Sequence, residues 1–199
     1  GGRTVALPSD ADFAFPLANV LAAISPNTRL IFINTPHKPS GRPVSAADIR
    51  AVIAAAPHAV VFIDEAYHDF QGVHYLAFTR EFPNVIVGRT FSKAYGLAGI
   101  RVGVLVGPPD LLAPIRYVMP LFNLNAVAVA ALRAAIADTQ FMPLSVAQAR
   151  ASKALLYEAL TRLGLPHWTS ETNFVLVNAG DRLPAFVAGL RARGVLVRD

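Results

Sequence analysis

Val60-Val61-Phe62-Ile63-Asp64-Glu65-Ala66-Tyr67 opens with four large apolar residues and breaks off into two carboxylates. A continuous apolar run of this length fits a strand buried on both faces of a mostly parallel sheet. Ligands of open α/β sheets bind beyond the carboxyl ends of the strands, so the polar residue that ends such a run marks the place to look. Asp64 leaves a buried strand for low-dielectric surroundings, where a carboxylate needs a cationic partner. Taken alone, the segment suits a helix cap or a buried ion pair as well as a binding site.

Outward from it, similar runs recur at residues 29–33, 84–87 and 100–106. Between the first run and Val60, Ser45-Ala46-Ala47-Asp48 reads as a capping-box start. Ile49, Val52, Ile53 and Ala56 follow at helical spacing and Pro57 stops the helix, which completes a βαβ unit. Residues 125–138 are Ala-rich and suit a packed helix, and residues 144–163 suit a longer amphipathic one closing at Gly164 and Pro166. A strand over 173–178, a helix over 183–193 and a strand over 194–197 come next. The fold class is α/β, with a larger domain over 1–138 and a smaller α+β domain over 139–199.

Of the 199 residues 54% are hydrophobic and 16% charged, which excludes a disordered polymer. The net charge of +5 is scattered rather than gathered into a stripe, so no nucleic-acid partner is expected. With no cysteine, disulfides, thiolate zinc sites and cysteine nucleophiles are impossible, and a reducing compartment, the cytoplasm, is the natural expectation. No apolar stretch reaches the roughly 18 residues of a membrane span. His58, His68, His74 and His167 show no ligand spacing with carboxylates, and no metal is expected. The chain opens on Gly1-Gly2 and ends at Arg198-Asp199 just after an apolar run, which reads as a stretch cut at both ends.

The chemistry gathers beside Asp64. The next run, Val85-Ile86-Val87, passes into Gly88-Arg89-Thr90-Phe91-Ser92-Lys93, so hydroxyls and a lysine collect at the same sheet edge. Lys93 is one of three lysines, with Lys38 and Lys153, and Arg101 follows eight residues later. A Walker phosphate loop fails, since counting from Gly88 puts Lys93 where the second glycine belongs. Gly96, Gly99 and Gly103 are spaced wrongly for a dinucleotide fingerprint and precede a strand. An amine for a Schiff base, a carboxylate for a pyridine nitrogen, and hydroxyls with a guanidinium for a phosphate together match pyridoxal 5'-phosphate.

Two segments, Asp64-Glu65-Ala66-Tyr67-His68-Asp69-Phe70 and the longer run from Thr90-Phe91-Ser92-Lys93 through Arg101-Val102-Gly103, resemble the histidinol-phosphate aminotransferase family. The likeness extends to Thr35-Pro36-His37-Lys38-Pro39-Ser40-Gly41, Thr172-Asn173-Phe174-Val175-Leu176 and the last six residues, and so spans nearly the whole chain. It implies the type I fold of pyridoxal-phosphate-dependent transferases. It also implies Lys93 as the Schiff-base lysine, Asp64 as partner of the pyridinium, Tyr67 as donor to the phenolic oxygen, and Thr90, Ser92 and Arg101 as phosphate ligands. Lys38 stands where the family has an asparagine. The expected activity is amino transfer between an amino acid or amino-phosphate such as histidinol phosphate and 2-oxoglutarate, in histidine biosynthesis, by a homodimer. A threonine-phosphate decarboxylase-like enzyme of the same fold and a catalytically incompetent, self-associating fragment are the alternatives.

Overall fold

The computed structural model describes residues 2–199. Its main sheet takes β1 (Leu30–Asn34), β2 (Val60–Asp64), β3 (Val85–Thr90) and β4 (Gly103–Val106) in that spatial order. The first three strands are parallel and β4 runs antiparallel to β3. Each of the four apolar runs anticipated before residue 107 became a strand, although the last starts at Gly103. Ahead of it Ala98–Ile100 forms a 3₁₀ turn and Arg101 takes a left-handed φ of 58°.

One face of the sheet is covered by α1 (Leu17–Ala23) and α2 (Ala46–Ala55). The Ser45 side chain accepts from the Asp48 N–H at 3.0 Å, as the sequence predicted. Ile49, Val52 and Ile53 of α2 then bury against Ile33, Val61, Ile63, Val85 and Val87. Of two short helices, α3 (His68–Gln71) packs Phe70 into a second cluster with Tyr67, Ala94 and Val146, whereas α4 (Phe78–Glu81) adds Phe78 to this core, which Tyr75 completes. On the opposite face the rings of Phe32 and Phe62 stack at 4.6 Å, with Phe32 largely exposed.

After β4 the chain is helical through α5 (Pro109–Val118), α6 (Ala126–Ala137) and α7 (Phe141–Arg162). The start of α7 is capped by Asp138, whose Oδ1 accepts from the N–H groups of Gln140 and Phe141. Among the described residues no single helix is long and apolar enough to cross a membrane. A small antiparallel pair, β5 (His167–Trp168) and β6 (Leu176–Val177), precedes α8 (Leu183–Arg191). The strand predicted over 173–178 is therefore only two residues long, because Thr172 Oγ1 accepts from the Phe174 N–H and holds that backbone in a turn. Residues 194–197 form no strand: a ladder needs a partner, and Val195, Leu196 and Val197 are exposed.

Candidate active site

Two parallel strands end side by side at the sheet's carboxyl edge, with Asp64 in register with Gly88 and with Asn34. The Asp64 carboxylate is held on both oxygens. Its Oδ2 accepts from Asn34 Nδ2 at 3.0 Å and its Oδ1 from the Ala66 N–H at 3.0 Å. Asn34 in turn accepts the Lys38 N–H on its Oδ1 at 2.7 Å, while the Lys38 side chain is exposed. Asp64, Gly88 and Thr90 line a cavity of about 540 Å³ floored by Phe32 and Phe62 and flanked by Leu112 of α5. A Cβ at Gly88 would lie 2.5 Å from the tip of the Phe62 ring, so any other residue there would push that ring aside.

The loop after β3 carries the amine. The Ser92 N–H donates to Thr90 Oγ1 at 3.1 Å, and the half-buried Lys93 sets its Nζ 5.4 Å from the Tyr67 ring centroid. Tyr67 is buried and meets the edge of Phe174 at 5.2 Å. Ala94, Phe70 and Val146 of α7 pack around it. Asp64, Tyr67, Thr90, Ser92 and Lys93 thus gather at one edge, although Tyr67, Ser92 and Lys93 lie outside the cavity lining. Arg101 is exposed, and its guanidinium donates to the Ala98 carbonyl at 2.8 Å within its own loop.

Among the described residues no protein cation forms an ion pair with Asp64, and the buried ion pair belongs to its neighbour. Glu65 is 1% exposed, and the Arg89 fork reaches its Oε2 through Nε at 2.8 Å and through Nη2 at 2.7 Å. Glu65 Oε1 accepts the Tyr75 N–H. Asp64 is held by neutral amide donors, whereas the buried ion pair sits one residue further on. Close by, the Asp69 side chain is 8% exposed, with Oδ1 3.3 Å from His68 Nε2 and Oδ2 without a hydrogen-bond partner. Burial pushes the Asp69 carboxyl above the usual carboxylate range; His68 and Arg89 oppose the rise and Glu65 adds to it. Burial likewise raises the phenol of Tyr95, helped by Asp69.

More distant segments close the arrangement. Gly41 has φ 74°, and a Cβ on it would lie 2.8 Å from the Cα of Ser170. On α7, Arg150 donates to the Phe70 carbonyl at 2.8 Å and Lys153 donates to the Ser170 carbonyl. Burial depresses Lys153 below the usual lysine range. The sequence reading missed Asn34, Glu65 with Arg89, and Phe174 as a wall of the site. Asn34 was the accessible one, being the polar residue that ends its own apolar run.

A mostly parallel sheet brings a carboxylate, hydroxyls and an amine to its carboxyl edge, the α/β architecture of the type I fold. The chain belongs to the family of class I and II aminotransferases, whose family model matches residues 2–199. It is 42% identical over 206 residues to histidinol-phosphate aminotransferase 1 of Cupriavidus pinatubonensis, covering 100% of this chain and 54% of that protein. An aromatic amino acid aminotransferase of Rhodococcus erythropolis is 37% identical, over 98% of this chain and 56% of its own length. The crystal structure of histidinol-phosphate aminotransferase from Sinorhizobium meliloti, in complex with pyridoxal-5'-phosphate, superposes with a TM-score of 0.90 at 30% identity, over 100% of this chain and 56% of that one. The chain spans about half the length of the curated relatives it matches.

Proposed function

We propose that this chain is part of a pyridoxal-phosphate-dependent aminotransferase that moves an amino group between histidinol phosphate, or a closely similar amino donor, and 2-oxoglutarate. The observation that carries the reading is Asp64, held by two amide donors at the carboxyl end of a central strand and one strand from the loop that bears Lys93. Each Asp64 oxygen accepts one hydrogen bond and keeps a further acceptor position for a ring nitrogen's proton. The residues present therefore fit the cofactor: an acid and the Thr90 hydroxyl in the wall of a cavity, and beside it an amine against a phenol.

When bound, pyridoxal phosphate supplies an electron-accepting ring that makes loss of a proton from the substrate carbon feasible. Asp64 would keep the ring nitrogen protonated. The Tyr67 hydroxyl would donate to the phenolic oxygen. Thr90, Ser92 and Arg101 would hold the phosphate, the last as a planar fork once it leaves the Ala98 carbonyl. Lys93 Nζ would hold the cofactor covalently, then take the proton from the substrate's amine-bearing carbon and return it. A cytoplasmic homodimer is the assembly we infer, as the resemblance to the family implies.

Borohydride reduction of the purified chain equilibrated with pyridoxal phosphate, followed by peptide mapping, is expected to place the pyridoxyl label on Lys93. Label on Lys38 or Lys153, or none while cofactor is bound, refutes these roles. For the activity, glutamate formation from histidinol phosphate and 2-oxoglutarate by the protein at its relatives' length supports amino transfer. Release of carbon dioxide without glutamate supports the decarboxylase alternative.

A further inference from the structure

Asn34 touches no group assigned a catalytic or phosphate-binding role except Asp64, yet its orientation is fixed at both ends. Its Oδ1 accepts from the Lys38 backbone N–H at 2.7 Å, and a backbone N–H can only donate. The amide oxygen must therefore face Lys38, and the NH₂ group must face Asp64 Oδ2, 3.0 Å away. The two side chains leave adjacent parallel strands at paired positions, so the sheet itself sets their separation. The Thr35 N–H also donates to the Asp64 carbonyl at 3.0 Å, which locks the same pair of strands at this point.

We infer that Asn34 is a positioning residue: it aims the Asp64 carboxylate at the cofactor's ring nitrogen and ties that aim, through Lys38, to the turn at residues 36–41. This rests on the assignment of Asp64 to the ring nitrogen. A carboxylate can rotate about its Cα–Cβ and Cβ–Cγ bonds, and with Oδ1 on the Ala66 N–H and Oδ2 on Asn34 both rotations are stopped. Position 38 then matters through its main chain: any residue with an N–H can orient Asn34, whereas the Lys38 side chain is free of this task and exposed.

The test compares two probes on the full 199-residue chain, pyridoxal phosphate and its 1-deaza analogue, in which C–H replaces the ring nitrogen. Binding is followed by absorbance and by quenching of the fluorescence of Trp168, the single tryptophan. Wild type should prefer pyridoxal phosphate. In Asn34→Ala, and in the similarly sized Asn34→Leu, that preference should fall about tenfold, as expected when a hydrogen bond to a charged group loses its alignment. Affinity for the analogue should stay within about twofold of wild type, since Asp64 has nothing on that ring to meet. The ratio of affinities cancels any general loosening. An unchanged preference, or equal losses for both probes, overturns the positioning role while leaving the cofactor assignment intact. A wild-type chain that binds both probes equally overturns the Asp64 assignment and this inference with it.

Discussion

Replacing Arg89 by Met strands a carboxylate. Glu65 is 1% exposed, and among the described residues the only cation in contact with it is the Arg89 guanidinium, through Nε at 2.8 Å and Nη2 at 2.7 Å. Removing one member of a buried pair costs about 3–5 kcal/mol, because the charge left behind has neither counter-charge nor water. Set against a whole-domain stability of about 5–15 kcal/mol, this brings the chain close to unfolding. Glu65→Gln alone should cost less, about 1.5–3 kcal/mol, since the Arg89 side chain is 19% exposed and can turn toward water. The substituted glutamine would still offer an oxygen to the Tyr75 N–H that Glu65 Oε1 accepts. The double variant should therefore be more stable than Arg89→Met by at least about 1 kcal/mol, with the second substitution acting as a partial rescue. Urea denaturation followed by circular dichroism measures all four stabilities. A double variant less stable than Arg89→Met, or single effects that simply add, refutes the claim that the cost comes from an uncompensated buried charge.

Gly41→Ala combines a left-handed φ, unfavourable by about 1–2 kcal/mol, with a forced approach to the Ser170 backbone of about 1–3 kcal/mol; the urea midpoint should drop by the equivalent of about 2–5 kcal/mol. Arg101→Gly should keep stability within about 1 kcal/mol, because relief of the 58° φ offsets the greater freedom of glycine in the unfolded chain, while cofactor affinity, read by absorbance titration, falls at least about tenfold. Asp69→Asn should stabilise the chain by about 1 kcal/mol at neutral pH. The folded carboxyl titrates above its unfolded value, so the folded chain binds the proton more tightly and Asp69 costs stability as pH rises through that interval. The advantage of Asn should vanish at acid pH, as thermal unfolding across a pH series would show.

The strands were legible because burial on both faces imposes an unbroken apolar composition, and the runs ending at Ile63 and Val87 carry it plainly. The edge that collects Asp64, Thr90, Ser92 and Lys93 followed from the same runs. Which carboxylate Arg89 would meet was not legible. Asp64 and Glu65 are adjacent in sequence and diverge in space, and only the β2–β3 register, which sets Asp64 beside Gly88, puts Arg89 next to Glu65. Nor did residue type betray Arg101, because a left-handed backbone is signalled by glycine or asparagine and not by arginine. The strand anticipated over 194–197 failed on a different ground, since apolar content does not supply a neighbour to pair with.

Phe174 stands 107 residues beyond Tyr67, and the carbonyls of Phe70 and Ser170 are grasped from a single turn of α7 by Arg150 and Lys153. During synthesis the amine and carboxylate leave the ribosome long before the aromatic that walls them. The nascent sheet and the cavity beside Asp64, lined by residues between 32 and 119, can form first, and Tyr67 meets its aromatic wall only when the last third of the chain has emerged and docked. Contacts this remote in sequence are the slow ones to close, so the Tyr67 side of the site is finished last.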